Sequence, residues 1–184
     1  MIKNWVKIGT SKYKFLVDHK EIGTLDISLS STDSKAIAKI NNNEFIIRRT
    51  GFWKTVVEIT DQNNILIAKV FPEKWYANSL TLDFNSSKYK LLIRNNPLAE
   101  YAILNQNKVI LAYGLNTGND NGMVNLKITN SEGNNHYILD MLLWYLFVPI
   151  AAENMGDNFT QFFIILIYFC FLFYILNPMR YHYR

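Results

Sequence analysis

Arg48 and Arg49, with Lys54 and Trp53 a few positions on, form the best basic-aromatic group in this sequence, and Lys88, Lys90 and Arg94 form another. Cations beside an aromatic ring suit contact with anionic head groups, each charge being worth about 1 kcal/mol close to such a surface. Lys12 and Lys14 make a third, smaller group. In a strand, residues two apart stand on one face, so Lys88, Lys90 and Arg94 would line up there. The ordinary alternative for each group is a solvated sheet face whose lysines discourage edge-to-edge aggregation.

Catalytic chemistry finds no such foothold. His19, His136 and His182 have no Cys or second His at ligand spacing, which argues against zinc. No G-x-S-x-G elbow, H-E-x-x-H pair or phosphate-cradling glycine loop occurs. Cys170 stands alone inside an apolar run, where it reads as packing; it has no partner for a disulfide or a metal. The reading is a non-enzyme without cofactor or metal. An enzyme would require two carboxylates brought together only by the fold.

The elements that must position the basic residues read as strands. Between residues 12 and 130 apolar side chains recur with period two: Tyr13, Phe15, Val17; Leu25, Ile27, Leu29; Val57, Ile59; Leu80, Leu82, Phe84; Tyr89, Leu91, Ile93; Val124, Leu126, Ile128. Turn formers punctuate these runs at Asn41-Asn42-Asn43, Asp61 to Asn64, Asn95-Asn96-Pro97, Asn105-Gln106-Asn107 and Asn119 to Gly122. The recurrence fits the roughly 8–12-residue spacing of an all-β sandwich or barrel, with about eleven candidate strands before residue 131. Val57–Ala68, Tyr101–Ala112 and Asn125–Asn130 share an apolar-tip-apolar pattern that reads either as a weak internal repeat or as unrelated hairpins.

A composition shift near residues 133–137 ends the strand pattern. Beyond it the formal charges are Asp140, Glu153, Asp157, Arg180 and Arg184. Tyr137–Ala152 is apolar on every side except at Asp140, so as a helix it must be buried in protein or lipid. Pro149 should disrupt or kink it. After the polar break at 153–158, Phe159–Leu176 is a second apolar run, with Phe162, Phe163, Phe169, Phe171 and Phe173 on all faces. The uncharged stretch Asn158–Met179 would extend roughly 33 Å as a helix, against a hydrocarbon core of about 30 Å. Tyr181, Tyr183, Arg180 and Arg184 would suit the interface beyond it. The whole chain has 184 residues, 49% hydrophobic and 15% aromatic, so most of it should fold. Its net charge of +4 favours an anionic leaflet but is too small to argue for nucleic acid.

About eleven short strands joined by Asn/Asp turns, then a strongly apolar helix, resemble the tubby-like superfamily, which includes the tubby C-terminal domain, the LURP-one-related proteins and the phospholipid scramblases. The residues that carry the likeness are Val57–Ala68, Leu80–Phe84, Tyr101–Ala112 and Leu139–Ile150. The resemblance implies a mainly β fold: a closed antiparallel barrel of about twelve strands with an apolar C-terminal helix through its centre. It also implies work at membranes, with lipids or a protein as partner. No segment matches a phosphoinositide-binding motif, and no acidic cluster matches the calcium segment of scramblases; Asp61 and Asp120 stand alone among amides.

The expected organisation is therefore a barrel over 1–152 enclosing a helix at 137–152, a linker at 153–158, a transmembrane helix at 159–179 and a basic tail at 180–184. Arg48, Arg49, Lys54, Lys88, Lys90 and Arg94 are the candidate head-group residues, and the five phenylalanines of the second run the anchor. Met1 to Lys7 is positively charged with no apolar run behind it, unlike a cleavable signal, which places the barrel on the cytoplasmic side. Two alternatives stay open: a transmembrane hairpin made of both apolar runs, and a soluble barrel that binds a small apolar ligand or a partner through an exposed helix. The direction of Trp144, into a lumen or out of it, separates them.

Overall fold

The computed structural model describes residues 1–29, 34–51, 55–72, 79–95, 98–117, 124–131 and 136–154. Twelve strands follow in sequence: β1 (Lys3–Lys7), β2 (Lys12–Val17), β3 (Lys20–Leu29), β4 (Ser34–Ile40), β5 (Asn43–Thr50), β6 (Val56–Asp61), β7 (Leu66–Pro72), β8 (Ser79–Phe84), β9 (Ser87–Asn95), β10 (Ala99–Asn105), β11 (Lys108–Thr117) and β12 (Val124–Asn130). One helix, α1 (Tyr137–Asn154), follows. Each strand pairs antiparallel with its neighbours in sequence, giving one twelve-stranded up-and-down sheet. The sheet curls into a nearly closed barrel. Among the described residues β1 and β12 share no ladder, so the closed barrel expected from the resemblance is here left with a seam.

The chain forms two compact units, Met1–Phe147 and Val148–Arg184. The first holds the barrel and the helix as far as Phe147. Of the second, the described part is the end of α1, and the run 159–179 lies outside the described residues.

At one end of the barrel the hairpins are tight, and Asn, Asp and their like take the left-handed backbone angles such turns need. Asp18 and His19 have φ of 48° and 66°, Asn85 and Ser86 49° and 60°, and Gln106 and Asn107 47° and 67°. Positive φ at both central residues is the type I′ condition, whose twist matches that of the strands it joins. Asn41 (φ 53°) turns β4 into β5. In the β6–β7 hairpin, the Asp61 carboxylate accepts from the amides of Asn63 and Ile65, both at 2.8 Å. Of the connections at the opposite end, residues 8–11, 51, 55 and 98 are described.

The period-two rows face as expected. Tyr13, Phe15 and Val17, Leu25 and Ile27, Val57 and Ile59, Leu82 and Phe84 are buried, and so are Ile103, Leu111 and Tyr113. From Leu139 to Phe147 every helix residue is buried. At about 100° per residue, nine successive positions cover all azimuths, so something must surround this helix. Its ring contacts say what. His136 meets Phe84, Tyr137 meets Phe15, Trp144 meets Trp5 and Tyr13, and Phe147 meets Tyr101, which lie on β8, β2, β1 and β10.

On β3 the helix comes so close that a Cβ at Gly23 would stand 3.0 Å from Met141 Cε and collide with the backbone of Lys39 and Ile40. Glycine there is a matter of space. The apolar run Tyr137–Phe147 is thus a filled lumen. Pro149 does not end the helix, which continues to Asn154; the preset φ of proline is helical, and what it removes is one amide donor. Among the described residues no helix is long and apolar enough to cross a membrane.

The N-terminal strand β1 was not among the alternating segments of the sequence. Its inward row is Lys3, Trp5 and Lys7, so two of three inner positions are cations and the hydrophobic signature is lost.

Candidate functional site

Alternation also separates the basic residues that looked like one patch. On β5, Ile47 is fully buried and Arg49 lies in its row, opposite the buried Val57. Arg48 points the other way, outward, opposite Glu58. Neighbours along a strand face opposite sides, so Arg48 and Arg49 cannot share a ligand from one surface. Lys54 and Trp53 lie outside the described residues. Lys88, Lys90 and Arg94 share the outer face of β9, as expected, and are exposed. β5 and β9 are four strands apart, roughly 19 Å around the wall at about 4.8 Å per strand. The five described head-group residues, Arg48, Arg49, Lys88, Lys90 and Arg94, therefore do not converge. Arg94 also donates to Glu100 at 3.0 Å.

The outer surface repeats that pairing. Lys12 meets Asp26 (3.5 Å), Lys14 Glu21 (2.8 Å), Lys39 Glu44 (3.2 Å) and Lys69 Glu58 (3.0 Å). Exposed pairs of this kind are worth about 0–1 kcal/mol and mark a solvated face, whereas on β9–β11 the outward row also holds a buried apolar cluster, Ala102, Leu104 and Ala112 with Leu92 packed on it. The anchor residues Phe162, Phe163, Phe169, Phe171 and Phe173 lie outside the described residues. Among the described residues no three His, Cys, Asp or Glu side chains gather as metal ligands. His19 belongs to a tight turn, and the ring of His136 stands edge-on to Phe84 at 5.3 Å.

The polar centre that does form lies at the seam. Asp140, the lone acid within the apolar part of α1, is fully buried. Lys3 Nζ donates to its two oxygens at 2.9 and 2.8 Å and also to Asn130 Oδ1 at 3.2 Å. The Tyr113 hydroxyl donates to Asp140 Oδ1 at 3.0 Å and accepts from Trp5 Nε1 at 3.0 Å. One network thus ties β1, β11, β12 and α1. Lys3 and Asn130 bring the first and last strands together by side chains, where no ladder joins their backbones. The Lys3 ammonium also stands 5.9 Å from the centre of the Tyr137 ring. The one visible hint in the sequence is Asp140, a charge where the run tolerates no other. Lys3 gives none, since a lysine at position 3 reads as a surface cation.

Burial raises the Asp140 carboxyl above the ordinary carboxylate range; Lys3 first, and then the bonds from Lys3 and Tyr113, oppose the rise without cancelling it. Tyr113 is raised well above the usual phenol value, by burial and then by the Asp140 charge, so it stays a donor. Neither shift points to proton transfer: both groups are locked to partners inside a packed wall.

A folded carboxyl raised above its unfolded value contributes stability that is fully present below the ordinary range of about 3.9 and is lost as pH climbs through the raised value. The stability gap between the protein and Asp140→Asn should therefore narrow as pH rises from about 3 to about 7 in urea unfolding. A gap that widens over that range would show the pair with Lys3 outweighing burial.

No family model, no curated protein and no solved structure matches the chain. What the barrel does must be read from its own residues.

Proposed function

We propose that this protein is a non-enzymatic, membrane-anchored barrel of the tubby-like kind, held at a membrane by residues 159–179, with the barrel on the cytoplasmic side binding a lipid head group or a protein. The observation that carries the reading is the enclosure of Leu139–Phe147. Because the barrel accounts for the first apolar run, the hairpin that would need it as a span loses support, and one uncharged run of membrane length is left over. Enclosure likewise leaves Leu139–Phe147 no free face to offer a partner, which weighs against a soluble barrel that docks through this helix. Lys88 and Lys90, exposed on the outer face of β9, suit an anionic leaflet beside them.

Fractionation tests the anchor. The full chain should stay in membranes after a carbonate wash, while a chain ending at Glu153 should be released yet keep the circular dichroism of a β protein. Recovery of the full chain in the detergent-free soluble fraction would remove the anchor from the proposal.

A further inference from the structure

Arg49 is an inward-facing cation that has no carboxylate partner among the described residues. Lys3, also inward, is neutralised by Asp140, and the outer carboxylates Asp26, Glu21, Glu44, Glu58 and Glu100 each meet a cation on the outer wall. Among the described residues no acid lies within ion-pair distance of Arg49. Instead its guanidinium stands 5.9 Å from the centre of the Tyr145 ring of α1. Its charge is also felt by Tyr101 of β10, whose phenol is raised by burial against the pull of Arg49.

The three residues come from different walls: β5, β10 and the helix between them. All lie towards the end of the barrel opposite the tight turns, since Arg49 is next to last in β5 and Tyr101 near the start of β10. Phe147 stands edge-on to Tyr101 at 5.6 Å. A half-buried guanidinium beside the Tyr145 ring, with the Tyr101 phenol within reach of its charge, suits an oxyanion: the planar fork gives two parallel N–H donors. Among the described residues the site has one cation, which matches a single negative charge.

We infer that Arg49, Tyr101 and Tyr145 form an anion site in the barrel mouth that takes a singly charged phosphodiester. The inference rests on the head-group contact proposed above and narrows it to one inward arginine; Arg48, Lys88, Lys90 and Arg94, on the outer wall, have no part in it. Within the barrel unit α1 starts at the tight-turn end, where His136 meets Phe84, and runs towards the end that holds Arg49, where Phe147 meets Tyr101. A phosphodiester could come from a phospholipid head group or from a free small molecule, and the two need separate probes.

Calorimetric titration of the full chain in neutral detergent, against a protein-free micelle blank, would use dihexanoyl phosphatidylglycerol and, separately, dimethyl phosphate. Saturable binding of the first alone assigns the site to a lipid head group; equal binding of both assigns it to the free group. Either supports the inference if Arg49→Gln weakens binding roughly tenfold, the loss of one charge-assisted contact, while Arg48→Gln changes it less than about twofold. Should Arg49→Gln fail to fold, Arg49→Lys keeps the charge without the fork and should weaken binding by roughly three- to tenfold. No saturable binding of either probe, or binding indifferent to position 49, would overturn the site. A soluble full chain that still binds through Arg49 would remove the anchor and spare the site, and a membrane-held chain with no such binding would do the reverse.

Discussion

Asp140→Ala is expected to cost the barrel about 3–5 kcal/mol, because it leaves the Lys3 ammonium buried without its counter-charge. Both side chains are 1% exposed, so water cannot take over the lost contacts. The change also removes the acceptor of the Tyr113 hydroxyl and loosens the tie between β1 and β12. A loss of that size is a large part of the roughly 5–15 kcal/mol that holds a domain together. Urea unfolding followed by circular dichroism would measure it. The double change Lys3→Met with Asp140→Leu removes both charges and fills the space with apolar atoms. It should recover most of the loss, since buried pairs are often replaceable by well-packed hydrophobes. If Asp140→Ala costs under about 1 kcal/mol, the network is not holding the seam and Lys3 reaches solvent in the working protein.

How much of this could be read beforehand depended on whether a residue's neighbours shared its environment. Tyr13, Phe15 and Val17 were legible because large apolar groups alternate with lysines, and the wall shows that alternation directly. β4 is harder: its inner row holds Ala36 and Ala38, small side chains set among lysines, and both are fully buried. Arg48 and Arg49 illustrate the opposite failure. Proximity in sequence made them one patch, but the two-residue period already required opposite faces, and only the inward one meets the helix. The Lys3–Asp140 pair joins residues 137 positions apart, and no local pattern reports a partner at that distance. Asp140 alone could be suspected, as an acid that an apolar helix would not keep unless something answered it.

The enclosure of the helix has its sharpest test at Trp144, where truncation to alanine should cost about 3–5 kcal/mol. The indole stacks on Trp5 at 5.1 Å and 9°, meets Tyr13 edge-on at 5.5 Å, and lies 6.2 Å from Tyr113. Alanine would open a cavity among three rings held by two β-hairpin walls, and such rings cannot collapse to fill it without breaking the Trp5–Tyr113 hydrogen bond. Trp144→Phe should be far milder. Among the described residues the indole N–H has no hydrogen-bond partner, so phenylalanine loses volume and stacking but no polar contact. The ratio between the two variants carries the argument: a helix lying against lipid or solvent would let both pass with similar small effects on barrel unfolding. A helix inside the barrel makes the alanine variant severe and the phenylalanine variant tolerable, because only there does the missing volume have nowhere to go.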